Sequence, residues 1–192
     1  MSHLIYIPLA DGFETAEAMF PLDLLRRAGA EVRTVCAAAN EGAASKTACS
    51  SHGVRILCDL AETEAPWREE LAMLLIPGGG RGVEILQRDE WLRGMIERCD
   101  AEERYIAAIC AGPSILGRMG LLRGRRATAY PTFRQYLDGA EIPGERVVRD
   151  GRYVTAAGAG VSMRFGAALV ALLYGKDEAA RILGSMECDG AE

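Results

Sequence analysis

The stretch Arg104-Tyr-Ile-Ala-Ala-Ile-Cys110-Ala-Gly-Pro-Ser-Ile-Leu-Gly117 decides how the rest of the chain is read. Tyr105 to Ile109 is a short apolar run of strand length. Gly112 and Pro113 follow at once, and proline suits the first turn of a helix, where its missing N–H costs nothing. Ser114 to Met119 continues with helical character. A strand that stops at a cysteine and turns directly into a helix resembles the elbow that presents the nucleophile in hydrolases. There the sulfur lies near the unpaired N–H groups and positive end of the helix, which favour thiolate over thiol. The competing reading is a buried, inert cysteine that fills space.

Working outward, strands and helices alternate. Leu4 to Leu9 reads as a first buried strand, and Glu14 to Ala28 as a helix stopped by Gly29. Pro21 inside that helix predicts a kink or a late start. Glu31 to Ala37 is a second strand, and Thr47–Ser51 with Val54–Cys58 forms a hairpin around His52-Gly53. Met73 to Ile76 is another buried strand, ended by Pro77-Gly-Gly-Gly80, with helices at 82–86 and 90–99. Ala127 to Ala129 and Arg146 to Ala156 supply further strands, the latter a hairpin around Asp150-Gly151. Helices at 161–174 and 178–183 close the pattern, and the tail after Gly184 is expected to be loosely held. This alternation predicts one α/β domain over residues 1–192, with a parallel sheet and helices on both faces. In such sheets the functional site forms at the carboxyl ends of the strands. Three strand ends carry unusual residues: Asp11 to Glu17, Pro77 to Gly82, and Cys110 to Pro113.

Composition narrows the function classes. A net charge of −5 does not suggest a nucleic-acid partner, and the cluster Arg123-Gly-Arg-Arg126 reads as a solvated turn. Pro8 and Asp11 interrupt the first apolar run, so it is not read as a signal peptide. The run Phe165 to Tyr174 is too short to span a bilayer. Six cysteines without a C-x-x-C pair read as reduced thiols of a cytoplasmic protein. With only His3 and His52 to supply imidazole, no metal site is expected.

The glycine run Pro77-Gly-Gly-Gly-Arg-Gly82 fits neither the G-x-G-x-x-G spacing of a dinucleotide site nor the Lys-Ser/Thr ending of a phosphate loop. It lets the backbone approach a ligand closely. With the amide of Ala111, its N–H groups could form an oxyanion hole for an adduct on Cys110; a tight strand-to-helix connection is the equal alternative. Glu14 and Glu17 stand at the start of the first helix, where acidic side chains complement the dipole. One of them turned inward and buried would have a raised pKa and could share a proton with the sulfur.

Together these pieces resemble the DJ-1/ThiJ/PfpI superfamily, and its DJ-1-like branch in particular. The matching segments are Ala10-Asp-Gly-Phe-Glu-Thr-Ala-Glu17, Pro21-Leu-Asp-Leu-Leu-Arg-Arg-Ala-Gly29, Ile76-Pro-Gly-Gly79, Ala107-Ala-Ile-Cys-Ala-Gly-Pro113 and Gly158-Ala-Gly160. The resemblance implies a flavodoxin-like three-layer sandwich and a homodimer. It implies that Cys110 is the reactive cysteine and Glu17, rather than Glu14, its protonated partner. It places Gly78, Gly79 and Ala111 around the pocket.

Departures from the family pattern fall on the pocket wall. Tyr130 stands where many members carry histidine, and Ala111 where the protease-like branch has one. Ser51-His52 replaces an arginine before the Gly-Val step, and Ala156-Ala-Gly158-Ala-Gly-Val161 replaces a more polar turn. No histidine is therefore placed to pair with Cys110, which argues against a protease or amidase. His52 is expected either to sit exposed in its hairpin turn or to reach a partner subunit's pocket.

The expected function is cofactor-independent glyoxalase III or deglycase-type chemistry on a small electrophilic carbonyl. The alternative is a redox sensor or chaperone acting through oxidation of Cys110. Thiazole monophosphate biosynthesis ranks last, for want of a phosphate loop.

Overall fold

Along the first strand, Leu4 and Tyr6 point to one side and Ile5, Ile7 and Leu9 to the other, yet all are buried. A strand wrapped on both faces belongs in the middle of a layered sheet. The computed structural model describes residues 3–188. In chain order it runs β1 (Leu4–Leu9), α1 (Thr15–Arg27), β2 (Glu31–Cys36), β3 (Thr47–Cys49), β4 (Arg55–Leu57), β5 (Leu60–Ala61), β6 (Leu71–Ile76), α2 (Gly80–Leu86), α3 (Glu90–Ala101), β7 (Tyr105–Ile109), α4 (Pro113–Arg118), β8 (Val147–Asp150), β9 (Tyr153–Ala156), α5 (Ser162–Tyr174) and α6 (Lys176–Ser185).

Seven strands form one sheet in the order β5-β2-β1-β6-β7-β9-β8, and β3 and β4 form a separate hairpin. Every pairing in the large sheet is parallel except β8 with β9. On one face Tyr6, Leu74, Ile76 and Ile106 pack with Leu86 of α2, Ile96 of α3 and Leu116 of α4. On the other, Ile7, Leu75, Ala107 and Ile109 pack with Leu24 of α1, Phe165 of α5 and Ile182 of α6. This is the flavodoxin-like three-layer sandwich. Strand order reverses between β1 and β6, and β7 is the next strand over, so the three marked strand ends lie side by side. Among the described residues no helix is long and apolar enough to cross a membrane.

Several expectations need correction. Helix α1 starts at Thr15 and runs through Pro21 to Arg27, so the late start does not occur. Burial of Ala18, Leu24 and Leu25 against the sheet and α5 holds the helix despite the missing N–H. Ala127 to Ala129 is not a strand. Both edges of β9 are already occupied, by β7 and β8, and the N–H of Thr128 donates instead to Thr155 Oγ1 at 2.9 Å. Beyond Gly184, helix α6 continues to Ser185 and a turn closes at Cys188, whose N–H bonds to Leu183 O; the rest of the predicted loose tail lies outside the described residues. The two-residue strand β5 and the 3-10 turn Pro131–Tyr136 carry too little pattern to read from sequence.

Candidate active site

Cys110 follows β7 directly and has φ of 63°, in the left-handed region that non-glycine residues seldom adopt. Such a conformation costs about 1–2 kcal/mol and persists only where its surroundings over-determine it. Here three backbone bonds do so. The Cys110 N–H donates to Ala156 O, the Tyr130 N–H to Cys110 O and the Gly112 N–H to Ile109 O, each at 2.9 Å. Pro113 then opens α4 at its first position. The elbow is thus fixed by β9 on one side and the 130 loop on the other, with the thiol half-buried at the strand end.

Glu17 lies in the first turn of α1 and is fully buried, at 0% exposure. Its Oε2 accepts the Gly78 N–H at 2.9 Å. Its Oε1 has no hydrogen-bond donor, and the carboxyl lies beside the Cys110 thiol, close enough for each to shift the other's protonation. Gly78 is the reason the two can meet. A Cβ at that position would fall 2.5 Å from Glu17 Oε2 and 2.7 Å from Cys110 Cβ, so any side chain would wedge the pair apart. Glu14 points elsewhere: its Oε2 accepts from Ser51 Oγ at 3.0 Å. Of the two carboxylates, the structure brings only Glu17 to the sulfur.

Burial pushes the Glu17 carboxyl up to about 7, against the opposing influence of the Cys110 thiol and the Gly78 N–H. Burial and the adjacent Glu17 charge push the Cys110 thiol up to about 12, against N–H groups of Ala111 and Gly79 that favour its thiolate. The helix start therefore does not by itself ionise Cys110, contrary to expectation. Helix α4 is only six residues long, and burial together with the negative neighbour outweighs it. The two groups titrate as a unit. Between about 7 and about 12 they hold a single proton between them, and a thiolate forms when that proton sits on Glu17.

The pocket wall follows from the same loops. Gly158 has φ of 155°, and a Cβ there would lie 3.3 Å from the Tyr130 ring and 3.9 Å from Cys110 Sγ. Gly158 thus stands beside the sulfur, and the half-exposed Tyr130 stands beside Gly158. Gly79 and Ala111 direct N–H groups at it. Gly78 borders the pocket too, but its N–H is taken by Glu17 and is not free for an oxyanion. His52 is not brought to Cys110 within the chain. It sits in the hairpin turn, its side chain 75% exposed, with Nδ1 3.6 Å from Glu14 Oε1. The arginine cluster is a solvated turn whose members pair with Asp138, Asp150 and Glu145. Among the described residues no group of three or more His, Cys, Asp or Glu is disposed to hold a metal ion.

One supporting pair escaped the sequence reading. The Asp11 carboxylate accepts the N–H groups of Cys49 (2.7 Å) and Glu41 (2.8 Å). The Asn40 side chain accepts the Asp11 N–H and donates to Leu9 O. These bonds tie the β1–α1 loop, which leads to Glu17, to the hairpin. An Asp directly after a buried strand was the available signal, since such residues habitually bond to nearby backbone.

A parallel α/β sandwich with a strained cysteine elbow and a buried glutamic acid against the sulfur defines a class of cysteine-centred α/β proteins. The family model for the DJ-1/PfpI family matches residues 3–172, and the chain belongs to that family. It is 36% identical over 184 residues to protein DJ-1 homolog B of Arabidopsis thaliana, covering 95% of this chain and 41% of that protein; it spans less than half the length of that relative. It is 33% identical over 154 residues to a protein of Thermococcus kodakarensis named a deglycase, covering 79% of this chain and 88% of that one. The structure of oxidized Toxoplasma gondii DJ-1 superposes with a TM-score of 0.88 at 30% identity, covering 98% of this chain and 100% of that one.

Proposed function

We propose that the protein is a cysteine-dependent enzyme of small reactive carbonyls, with glyoxalase III or deglycase-type chemistry. The observation that carries this reading is Glu17, fully buried against the Cys110 thiol with one oxygen pinned by Gly78. The deglycase name of the Thermococcus relative supports it at the level of the family.

With methylglyoxal as substrate, Glu17 takes the thiol proton and the Cys110 sulfur attacks the aldehyde carbon. The C=O π bond opens, and the resulting alkoxide faces the N–H groups of Gly79 and Ala111 and takes the proton back from Glu17, giving a hemithioacetal hydroxyl and restoring the carboxylate. The Glu17 carboxylate removes the C1 proton, giving an enediolate; the C1 hydroxyl proton passes to the C2 oxygen as Glu17 returns its proton to C2. That leaves a lactoyl thioester on Cys110. Water adds to it, the C–S bond breaks, and lactate leaves with the thiol restored. The net change is methylglyoxal plus water to lactic acid, so no redox cofactor is required. Proton NMR of lactate formation tests the assignment of Glu17. Glu17→Gln keeps the shape and the Gly78 contact but cannot shuttle protons, so kcat should fall by about 10²–10⁴. Lactate formed by this variant at the wild-type rate would sink the mechanism.

A second reading has one observation in its favour: N–H groups that would hold an alkoxide would also hold a sulfinate on Cys110. A discrete two-oxygen mass gain on Cys110 after peroxide, from a protein that makes no lactate, is the outcome that selects it.

A further inference from the structure

The structure holds a second pair of sulfurs, remote in role from Cys110. Cys36 ends β2 and is 2% exposed; Cys58 follows β4 and is 3% exposed. They lie 22 positions apart in sequence, yet they meet across the hairpin. Cys36 Sγ is 3.7 Å from Thr47 O, while the Cys58 N–H donates to the preceding carbonyl, Lys46 O, at 2.8 Å. The two thiols lie close enough for each to shift the other's protonation, while Cys36 Sγ donates weakly to Thr47 O at 3.7 Å and Cys58 Sγ to Ile56 O at 4.0 Å.

The surroundings are not those of two space-filling thiols. The Asn40 side chain, itself buried at 6% exposure, points its Nδ2 at Cys36 Sγ from 3.3 Å. Burial raises both thiols, Cys58 to about 12, and at Cys36 the Asn40 amide partly offsets it by stabilising charge on the sulfur. That contact makes Cys36 the attacking thiol and Cys58 the resolving one. Between the pair and solvent stands the short β3–β4 hairpin of three-residue strands, whose outer side bears exposed Arg55 and Leu57. A thin two-stranded element of this kind opens locally at lower free energy than the central sheet.

We propose that Cys36 and Cys58 are a redox-active dithiol that closes to an intramolecular disulfide when the protein meets a peroxide. In the first step the Cys36 sulfur attacks one peroxide oxygen and the O–O bond breaks. The departing hydroxide takes the thiol proton and leaves as water, giving a sulfenic acid on Cys36. In the second, the Cys58 sulfur attacks the Cys36 sulfur, the S–O bond breaks, and the Cys58 proton leaves with the hydroxyl as a second water. Two thiols lose two electrons and two protons, and hydrogen peroxide is reduced to two waters. The product ties the end of β2 to the end of the hairpin. Asn40, which also binds Leu9 O and the Asp11 N–H, links that staple to the β1–α1 loop. A thiol reductant reverses it.

The full chain, reduced and then exposed to hydrogen peroxide, provides the test. Exposure continues well past complete oxidation of Cys110; the protein is then unfolded in acid guanidinium, alkylated and peptide-mapped. We expect a cross-linked peptide joining Cys36 to Cys58, 2 Da lighter than the reduced pair, present in most molecules and removed by dithiothreitol. It should persist in Cys110→Ser. In Cys58→Ser the bond cannot form, and a dimedone adduct on Cys36 should take its place. Oxidised wild type should melt about 5 °C or more above the reduced form, because the bond constrains the unfolded chain. Recovery of Cys36 and Cys58 as separate alkylated thiols, with Cys110 fully oxidised, would overturn the proposal. So would pairing of either with Cys49, or a cross-link that lowers the melting temperature, which would show closure only in a distorted chain. The wild-type peptide map decides the matter even if a variant fails to fold.

Discussion

Glu17 is a carboxylic acid placed where its charge is unwelcome, and that placement has a thermodynamic signature. Its ordinary value of 4.5 is raised to about 7 in the folded protein. Between those values the folded state keeps a proton that the unfolded chain has lost. The stabilisation is therefore fully present below 4.5 and is lost as pH rises through about 7. From pH 4 to pH 8 the wild type should lose on the order of 3 kcal/mol more than Glu17→Gln. Urea unfolding of both proteins at the two pH values measures the difference, and parallel pH dependence would refute the assignment. At this scale the sequence carried Cys110, because Gly112-Pro113 after an apolar run marks an elbow. It did not choose between Glu14 and Glu17 without the family resemblance, since both suit a helix start. Nor could it show that Gly78 spends its N–H on Glu17, because hydrogen-bond allocation depends on how closely two loops approach.

At the scale of elements, the site rests on loops held by a few buried side chains. Asp11 holds the N–H groups of Glu41 and Cys49, and the hairpin answers with Gly12 N–H to Cys49 O at 2.7 Å and Ser51 N–H to Phe13 O at 2.9 Å. Asp11→Ala leaves two donors without their acceptor, at about 1–3 kcal/mol each. Hydrogen exchange should show the 47–57 hairpin opening selectively while β6 and β7 stay protected. Uniform protection across hairpin and sheet would contradict this role. Long buried strands such as β1 and β7 were legible to the residue, for their apolar runs are bounded by Pro, Gly or charge. Ala127 to Ala129 misled because three small apolar residues look the same in a strand and in a loop packed under a helix.

For the whole molecule, two cores on opposite faces of one sheet follow directly from alternation along β1, β6 and β7, and the pattern of apolar runs predicted that layering. Among the described residues, one apolar patch lies beside α1. Phe20 and Val54 are 42% and 44% exposed, and with Met19 they line a groove of about 580 Å³ between α1 and the hairpin turn that carries His52. We propose this face as the contact of the homodimer that the family resemblance implies. Sedimentation equilibrium should give twice the chain mass, and Phe20→Asp should give the monomer. A monomeric wild type, or a dimer indifferent to Phe20→Asp, would exclude this interface. Periodicity could not reveal the face, because a residue on the outer side of a helix is exposed alike to solvent and to a partner.

The chemistry turns on a single sulfur. Cys110→Ser replaces it with an oxygen of similar size and leaves the elbow, Glu17 and the N–H donors of Gly79 and Ala111 in place. Lactate formation from methylglyoxal by purified wild type and Cys110→Ser, followed by proton NMR under identical conditions, tests the account most directly. Turnover by the wild type with none detectable from the serine variant is the predicted result. Equal rates from the two proteins would contradict it.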